Sequence, residues 1–318
     1  MNTELQPAFT WIPLGVEGGL DESSLSAHLI APIGSTEFIC LDAGTLFAGL
    51  KVANRNGCFK DIRPPEGSGL SIEGTVLHHH IKAYMITHPY LDHVEGLVVV
   101  SPNDNQKPLM GLSDVIDDIE NHLFNWHVWP NFGNRGASPA MGQYRYAKLQ
   151  SGMKTEVSDT SMSIEAHPLS HGAHTDSTAF LVESNEKYVL YMGDTGPDEI
   201  EMSTTTEDLW RRITPLIKED RLHGIFIEAS YVDERPDDQL FSHLTPAWLM
   251  KAFRKLAVMT DPQDPENSLQ GLKVIITHIK PDFSSTVTTR ETIEKQLHKQ
   301  NNLGLELIFA EQGKRYSL

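Results

Sequence analysis

Cysteine is nearly missing from this chain. Cys40 and Cys58 are the two in 318 residues, too few for a disulfide framework or a cysteine-based zinc site. Long apolar runs are missing too, and no stretch could span a membrane. Residues 1–11 hold neither a basic residue nor an apolar signal core, so a cytoplasmic, non-exported protein is expected. Positive charge is scarce: 26 Lys and Arg against 43 Asp and Glu leave a net charge of −17. Non-specific affinity for nucleic acid comes largely from Lys and Arg on phosphates, so a polymeric nucleic acid is disfavoured as a partner. A small anionic ligand stays open where metal ions supply positive charge locally. With 39% hydrophobic residues, no internal repeat and no linker, the chain reads as one domain over 1–318.

Histidine, by contrast, is abundant, with fifteen residues. The most informative stretch is Thr87-His88-Pro89-Tyr90-Leu91-Asp92-His93-Val94-Glu95-Gly96. An apolar run at 83–86 precedes it and reads as a buried strand, and the apolar segment 94–100 opens a helix. Imidazoles and a carboxylate therefore collect on the turn leaving a strand, where α/β folds place chemistry. Neutral imidazole and carboxylate are ligands that Zn²⁺, Mn²⁺ or Fe²⁺ accept. The same residues could instead form a polar turn with Asp92 as a helix cap.

The remainder alternates strand-like and helical segments. Strands are expected at 38–41, 161–168, 179–183, 188–192, 224–227, 273–277 and 305–310, and 23–30 reads as a loop feeding a further strand. Helices are expected at 45–53, 113–127, 207–218, 248–257 and 290–299, with Ser113 as an N-cap. Gly18-Gly19 reads as a simple turn. His78-His79-His80 is taken as strand, where neighbouring side chains alternate between faces and cannot serve one site. Between 122 and 132 lie Trp126, Trp129 and Phe132 with Asn125 and Asn131, broken by Pro130. Two readings stand for these: a helix end plugged into the core by its aromatics, or a pocket that stacks and hydrogen-bonds a planar heterocycle. In chain order, His88, Asp92, His93, His171, Asp194, Glu228, His243 and His278 each fall just past an apolar run or in the loop after one. As a set they point to a metal centre.

At these residues the chain resembles the class II cyclic-nucleotide phosphodiesterases of the metallo-β-lactamase superfamily. The resemblance is carried by Gly18-Gly19 with Ser26, by 87–96 and 122–132, and by Ser170-His171-Gly172. It continues through 193–198, Glu228-Ala229-Ser230-Tyr231, His243-Leu244-Thr245-Pro246 and 277–281. It implies an α/β fold, the four-layer αβ/βα sandwich, with a helical elaboration at about 113–142 shaping the substrate pocket. It implies hydrolysis of 3′,5′-cyclic AMP, and often cyclic GMP, to the 5′-nucleotide by a metal-activated hydroxide. Two divalent ions are implied, Zn²⁺ first and Mn²⁺ or Mg²⁺ as alternatives. His88, His171 and Asp194 would hold the first, and Asp92, His93, Asp194 and His278 the second. Tyr90 stands where the superfamily pattern has a further histidine. His243 is the candidate proton donor to the leaving 3′ oxygen, oriented by Glu228, and Asp92 is counted with them in the catalytic set. Asn125, Trp126, Trp129, Asn131, Phe132 and Lys280 are the candidate substrate contacts. A homodimer is expected by superfamily analogy alone. Competing readings are a ribonuclease-Z-like phosphodiesterase and a non-catalytic cyclic-nucleotide-binding protein altered at Tyr90.

Overall fold

The structure is a computed structural model that describes residues 6–172, 176–283 and 286–318. Residues 1–5 of the opening segment discussed above lie outside them. The chain forms two compact units, one from Pro7–Val16, Asp21–Ala166 and Glu311–Leu318, the other holding Glu17–Leu20 and His167–Ala310.

The first unit is built on β1 (Phe9–Gly15), β2 (Ala27–Pro32), β3 (Phe38–Leu41), β4 (Ile81–Met85), β5 (Lys107–Leu112) and β6 (Tyr144–Leu149), and the last strand of the chain, β14 (Tyr316–Ser317), joins them. Its sheet runs β14-β1-β2-β3-β4-β5-β6. Pairing is antiparallel from β14 to β3 and parallel from β3 to β6. The helices α1 (Phe47–Arg55) and α2 (Ile72–Thr75) lie between β3 and β4, and α3 (Leu91–Val100) crosses from β4 to β5. Val94, Leu97 and Val98 of α3 enter a core that includes Ile12, Leu29, Tyr84 and Leu109. The strand β1 was hidden in the sequence by Pro13, which cannot donate to a ladder. It is accommodated because the register with β2 shifts between Pro13 and Gly15. Trp11 then stacks on Tyr316 at 4.3 Å.

Two expectations change in this unit. His78-His79-His80 is not strand but part of a wide helical turn, Val76–His80. The helix expected over 113–127 is α4 (Ser113–Asp118) followed by a wide turn, Ile119–Leu123, and its N-cap is Leu112 without a side-chain bond. It stops early because the Asn125 side-chain oxygen Oδ1 accepts from the His127 and Val128 backbone N–H groups, both at 2.9 Å, offering the backbone an alternative to the helix. From there to Gly142 the chain is irregular, so only the start of the elaboration is helical.

The other sheet runs β13-β12-β11-β10-β9-β8-β7. Its strands are β7 (Thr155–Glu156), β8 (Ser163–Ser170), β9 (Asp176–Ser184), β10 (Lys187–Met192), β11 (Leu222–Glu228), β12 (Lys273–Thr277) and β13 (Glu306–Phe309). The strand β7 and the first half of β8 belong to the first unit. From β10 to β13 the pairing is parallel. Helices α5 (Asp198–Glu201), α6 (Thr205–Lys218), α7 (Pro246–Thr260) and α8 (Thr289–Gln300) complete the unit. Thr245 caps α7 ahead of Pro246, and Thr288 with Glu291 forms a capping box on α8. Trp210, Phe253, Ile225, Ile276 and Leu297 centre its core. Among the described residues no helix is long and apolar enough to cross a membrane.

In both sheets the parallel strands end at the chemistry-bearing residues. Asp42 follows β3 and His88 follows β4; Asp194 follows β10, Glu228 ends β11 and His278 follows β12.

Candidate metal centre

In the first unit Asp42 is the organising group. It is fully buried and sits at φ +55°, a conformation rare outside glycine, asparagine and aspartate. The turn it begins is stitched to the first turns of α3 by backbone bonds, Ala43 N–H to His93 O at 2.8 Å and Gly96 N–H to Gly44 O at 2.7 Å. The approach demands glycine: a Cβ on Gly44 would lie 2.1 Å from Asp92 O. The Asp42 carboxylate accepts from Thr87 N–H at 2.8 Å and from Thr87 Oγ1 at 3.0 Å. It also accepts from His93 Nδ1 at 2.8 Å. His88 Nδ1 lies 3.0 Å from Thr87 Oγ1. The His88 and His93 rings are 4.2 Å apart between centroids, and both are buried. Tyr90 occupies the N-cap of α3 without a side-chain cap bond. Its ring lies edge-on to His88 at 4.8 Å and is 45% exposed. Asp92 is in the first turn of α3 and half-buried, so the cap reading of Asp92 gives way to Tyr90.

In the second unit Asp194, His171, Glu228, His243 and His278 are all buried. Asp194 Oδ2 is 3.2 Å from His278 Nε2, 3.9 Å from His171 Nε2 and 3.8 Å from His243 Nδ1. Two ligands on one tetrahedral Zn²⁺, each with a bond of about 2.0–2.2 Å, stand roughly 3.3–3.5 Å apart. The Asp194–His278 and Asp194–His171 spacings bracket that value. His171 Nδ1 donates to Ser242 O at 3.0 Å. The Glu228 carboxylate takes His243 Nδ1 at 2.9 Å, Ser230 Oγ at 2.5 Å, Thr195 N–H at 2.9 Å and Leu244 N–H at 3.2 Å. Glu228, His243 and His278 are close enough to hold an ion. With its oxygens saturated by donors, however, Glu228 is suited to orienting neighbours rather than to ligation. Burial alone would raise its pKa, but the charge and hydrogen bond of His243 prevail and hold it below the ordinary carboxylate value. Burial likewise opposes charging His243, and Glu228 with Asp194 outweighs it, lifting His243 above the usual imidazole value.

His278 is held at φ +54°. Gly18 gives it room, since a Cβ there would lie 2.3 Å from the ring. Lys280 follows two residues on, its backbone N–H bonded to Ser230 O at 3.2 Å.

The aromatic segment divides by environment. Phe132 is buried against Phe124, 6.3 Å between centroids, and Trp129 is half-buried with Nε1 on Ser101 Oγ at 3.1 Å. Asn131 is fully buried. Its amide donates to Arg135 O and Ala137 O, and its carbonyl accepts from Gly133 N–H. Asn125 is engaged with Asn121 O and the two amides described above. Trp126 is the exposed indole, with Nε1 on Pro139 O at 3.0 Å.

Asp42, Thr87, Ser230 and Ser242 hold the candidate ligands, and none was assigned a role from sequence. The signal was there in part, because Asp42 directly follows a strand, Thr87 adjoins His88 and Ser230 stands two positions after Glu228. Which imidazole each would reach is a tertiary fact.

Mixed sheets flanked by helices, with His and Asp at the ends of parallel strands, define the metallo-β-lactamase fold. Solved structures agree. One titled the metallo-beta-lactamase fold protein YhfI from Bacillus subtilis matches with a TM-score of 0.60 at 12% identity, covering 98% of this chain and 100% of that one. Unliganded yeast PDE1 matches with a TM-score of 0.82 at 22% identity, covering 98% and 100%. The fold is thus the αβ/βα sandwich. The family model for class-II cAMP phosphodiesterases matches residues 8–313, and the chain belongs to that family. A relative from Aliivibrio fischeri, named 3′,5′-cyclic-nucleotide phosphodiesterase, is 41% identical over 96% of this chain and 92% of its own. A Dictyostelium discoideum relative, named cAMP/cGMP-dependent 3′,5′-cAMP/cGMP phosphodiesterase A, is 30% identical over 96% of this chain and 80% of its own.

Proposed function

We propose that this protein hydrolyses 3′,5′-cyclic AMP, with cyclic GMP as a second substrate, to the 5′-nucleotide. The observation that supports it most is the hydrogen-bonding of the candidate ligands. His88, His93, His171 and His278 each have Nδ1 within 3.0 Å of an oxygen. With Nδ1 engaged in this way, Nε2 is the ring nitrogen each histidine would turn to a divalent cation. His88, His171 and Asp194 are assigned to one ion, and Asp92, His93, Asp194 and His278 to the other, with Zn²⁺ expected ahead of Mn²⁺ or Mg²⁺. Such ions supply positive charge for the phosphate oxygens and lower the pKa of a water nucleophile.

The remaining work falls to the protein. His243, oriented through Nδ1 by Glu228, is assigned to deliver a proton from Nε2 to the departing 3′ oxygen, and its raised pKa suits a donor near neutrality. Lys280 is assigned to the phosphate. Trp126 is assigned to stack on the base, and Asn125, Trp129, Asn131 and Phe132 to hold the loop that carries it. Tyr90 is the weak point of the first ion's ligand set: a phenol binds metal well only as phenolate, and its ordinary pKa is about 10. We place the protein in the cytoplasm, acting on a free nucleotide rather than a nucleic-acid polymer or a membrane surface, in keeping with its net charge of −17; a homodimer rests on superfamily analogy.

The test is phosphorus NMR of cyclic AMP incubated with protein refilled with Zn²⁺ or Mn²⁺. A growing 5′-AMP signal, abolished by Asp194→Ala, is expected. A 3′-AMP signal would overturn the assignment of the leaving oxygen and of His243. No product with either metal would favour the non-catalytic binding protein.

A further inference from the structure

The same arrangement is found in each unit. In the first, Asp42 bonds His93 Nδ1 directly at 2.8 Å and reaches His88 Nδ1 through Thr87 Oγ1, with both steps at 3.0 Å. In the second, Glu228 bonds His243 Nδ1 directly at 2.9 Å and reaches His278 Nδ1 through Ser230 Oγ, with steps of 2.5 Å and 3.0 Å. All eight groups are buried, so water does not offer an alternative partner at the hydroxyls.

A hydroxyl has one proton to give. If Thr87 gave it to His88 Nδ1, its oxygen lone pairs would face the Asp42 carboxylate at 3.0 Å with no proton between them. If Ser230 gave it to His278 Nδ1, its oxygen would face Glu228 Oε2 at 2.5 Å and His278 O at 2.9 Å in the same way. Both geometries therefore require the hydroxyl to donate to an oxygen and to accept from the ring. His88 and His278 must then carry a proton on Nδ1, so that Nε2 is the nitrogen a metal ion would take; at His278 that ion would stand between Nε2 and the Asp194 carboxylate, which faces it at 3.2 Å.

We propose that Thr87 and Ser230 are positioning residues. Each relays the proton-accepting character of one buried carboxylate to a second imidazole and so fixes that imidazole in its metal-binding tautomer. One carboxylate thereby sets two rings in each unit. This inference rests on the metal-centred reading above, and its test is chosen to be separable from it.

The experiment compares Thr87→Val, Thr87→Ser and Ser230→Ala with the native protein, each loaded with Zn²⁺ and ¹⁵N-labelled at histidine. Imidazole NMR of the native protein should show a protected Nδ1–H on both His88 and His278. Thr87→Val should lose that proton signal at His88 only, and Ser230→Ala at His278 only. Each should raise the Zn²⁺ dissociation constant, measured by chelator competition, by roughly 10–100-fold. Thr87→Ser keeps the hydroxyl and should retain both the signal and the affinity. The proposal falls if the native rings carry the proton on Nε2. It also falls if Thr87→Val and Ser230→Ala leave signal and affinity unchanged, or if Thr87→Ser is as impaired as Thr87→Val. If Ser230→Ala fails to fold, the Thr87 pair decides. If the native protein binds no divalent ion, the metal-centred reading fails, and the tautomers in the metal-free protein still decide the relay.

Discussion

Asp42 Oδ2 lies 2.8 Å from His93 Nδ1, with both side chains out of solvent. A residue just past β3 thus sets the ring of a histidine fifty-one positions away. Asp42→Asn keeps the size and tolerates the left-handed turn but replaces an acceptor-only carboxylate. We expect metal affinity to fall roughly 10–100-fold while the chain stays folded. Chelator competition together with thermal unfolding checks this; native affinity in the variant would refute the role.

Gly18 and His278 give a steric test. The Gly18 backbone lies outside the left-handed region, and an added Cβ would sit 2.3 Å from the His278 ring. Gly18→Ala should displace that ring and cut metal affinity and turnover at least about tenfold, since ligand geometry is held to fractions of an ångström. A variant with native turnover would show that the ring has slack.

Tyr90 predicts that the two proposed ions bind unequally. Its ring is half-exposed and packs edge-on against His88, and a neutral phenol is a poor ligand. The native protein should hold one ion tightly and one loosely, and Tyr90→His should tighten the loose one. Metal analysis after graded dialysis reads this directly. Full and equal double occupancy in both proteins would count against it.

His223 predicts acid sensitivity. Burial first, then Lys187 and Lys273, pull its pKa down to about 4, whereas an unfolded histidine titrates near 6.5. Between those values the unfolded chain takes up the proton and the folded chain does not. The site costs no stability above about pH 6.5, and stability falls as pH drops toward 4, by up to about 3 kcal/mol. His223→Gln should flatten that slope. Urea midpoints at several pH values across the window would show it, and parallel losses in both proteins would exclude His223 as the cause.

Much of the fold was legible because strands such as 38–41 and 273–277 are short apolar runs with strong β formers, helix α6 carries clear periodicity, and α7 opens on a Thr-Pro cap. The strand β1 was obscured by Pro13, and β5 by Lys107, a charge buried because Asp104 Oδ1 lies 2.7 Å away. The strand β1 pairs with β14 from the far end of the chain, and Lys107 Nζ also donates to Leu77 O, thirty positions away. The three-histidine tract failed for the opposite reason, since local periodicity over so few residues does not separate a helical turn from a strand.

What the sequence determined by itself was the kit: an acidic chain without cysteine chemistry, and His, Asp and Glu set just past apolar strands in the order of a known family. Their types and positions along the chain follow from strand length and turn chemistry, which are local. Only the tertiary structure decided which nitrogen of each ring is held, and by what. Asp42 and Glu228, and the hydroxyls of Thr87 and Ser230, reach their imidazoles because parallel strands bring their ends side by side. Hydrogen bonds act over about 3 Å, a distance that spacing along the chain does not encode.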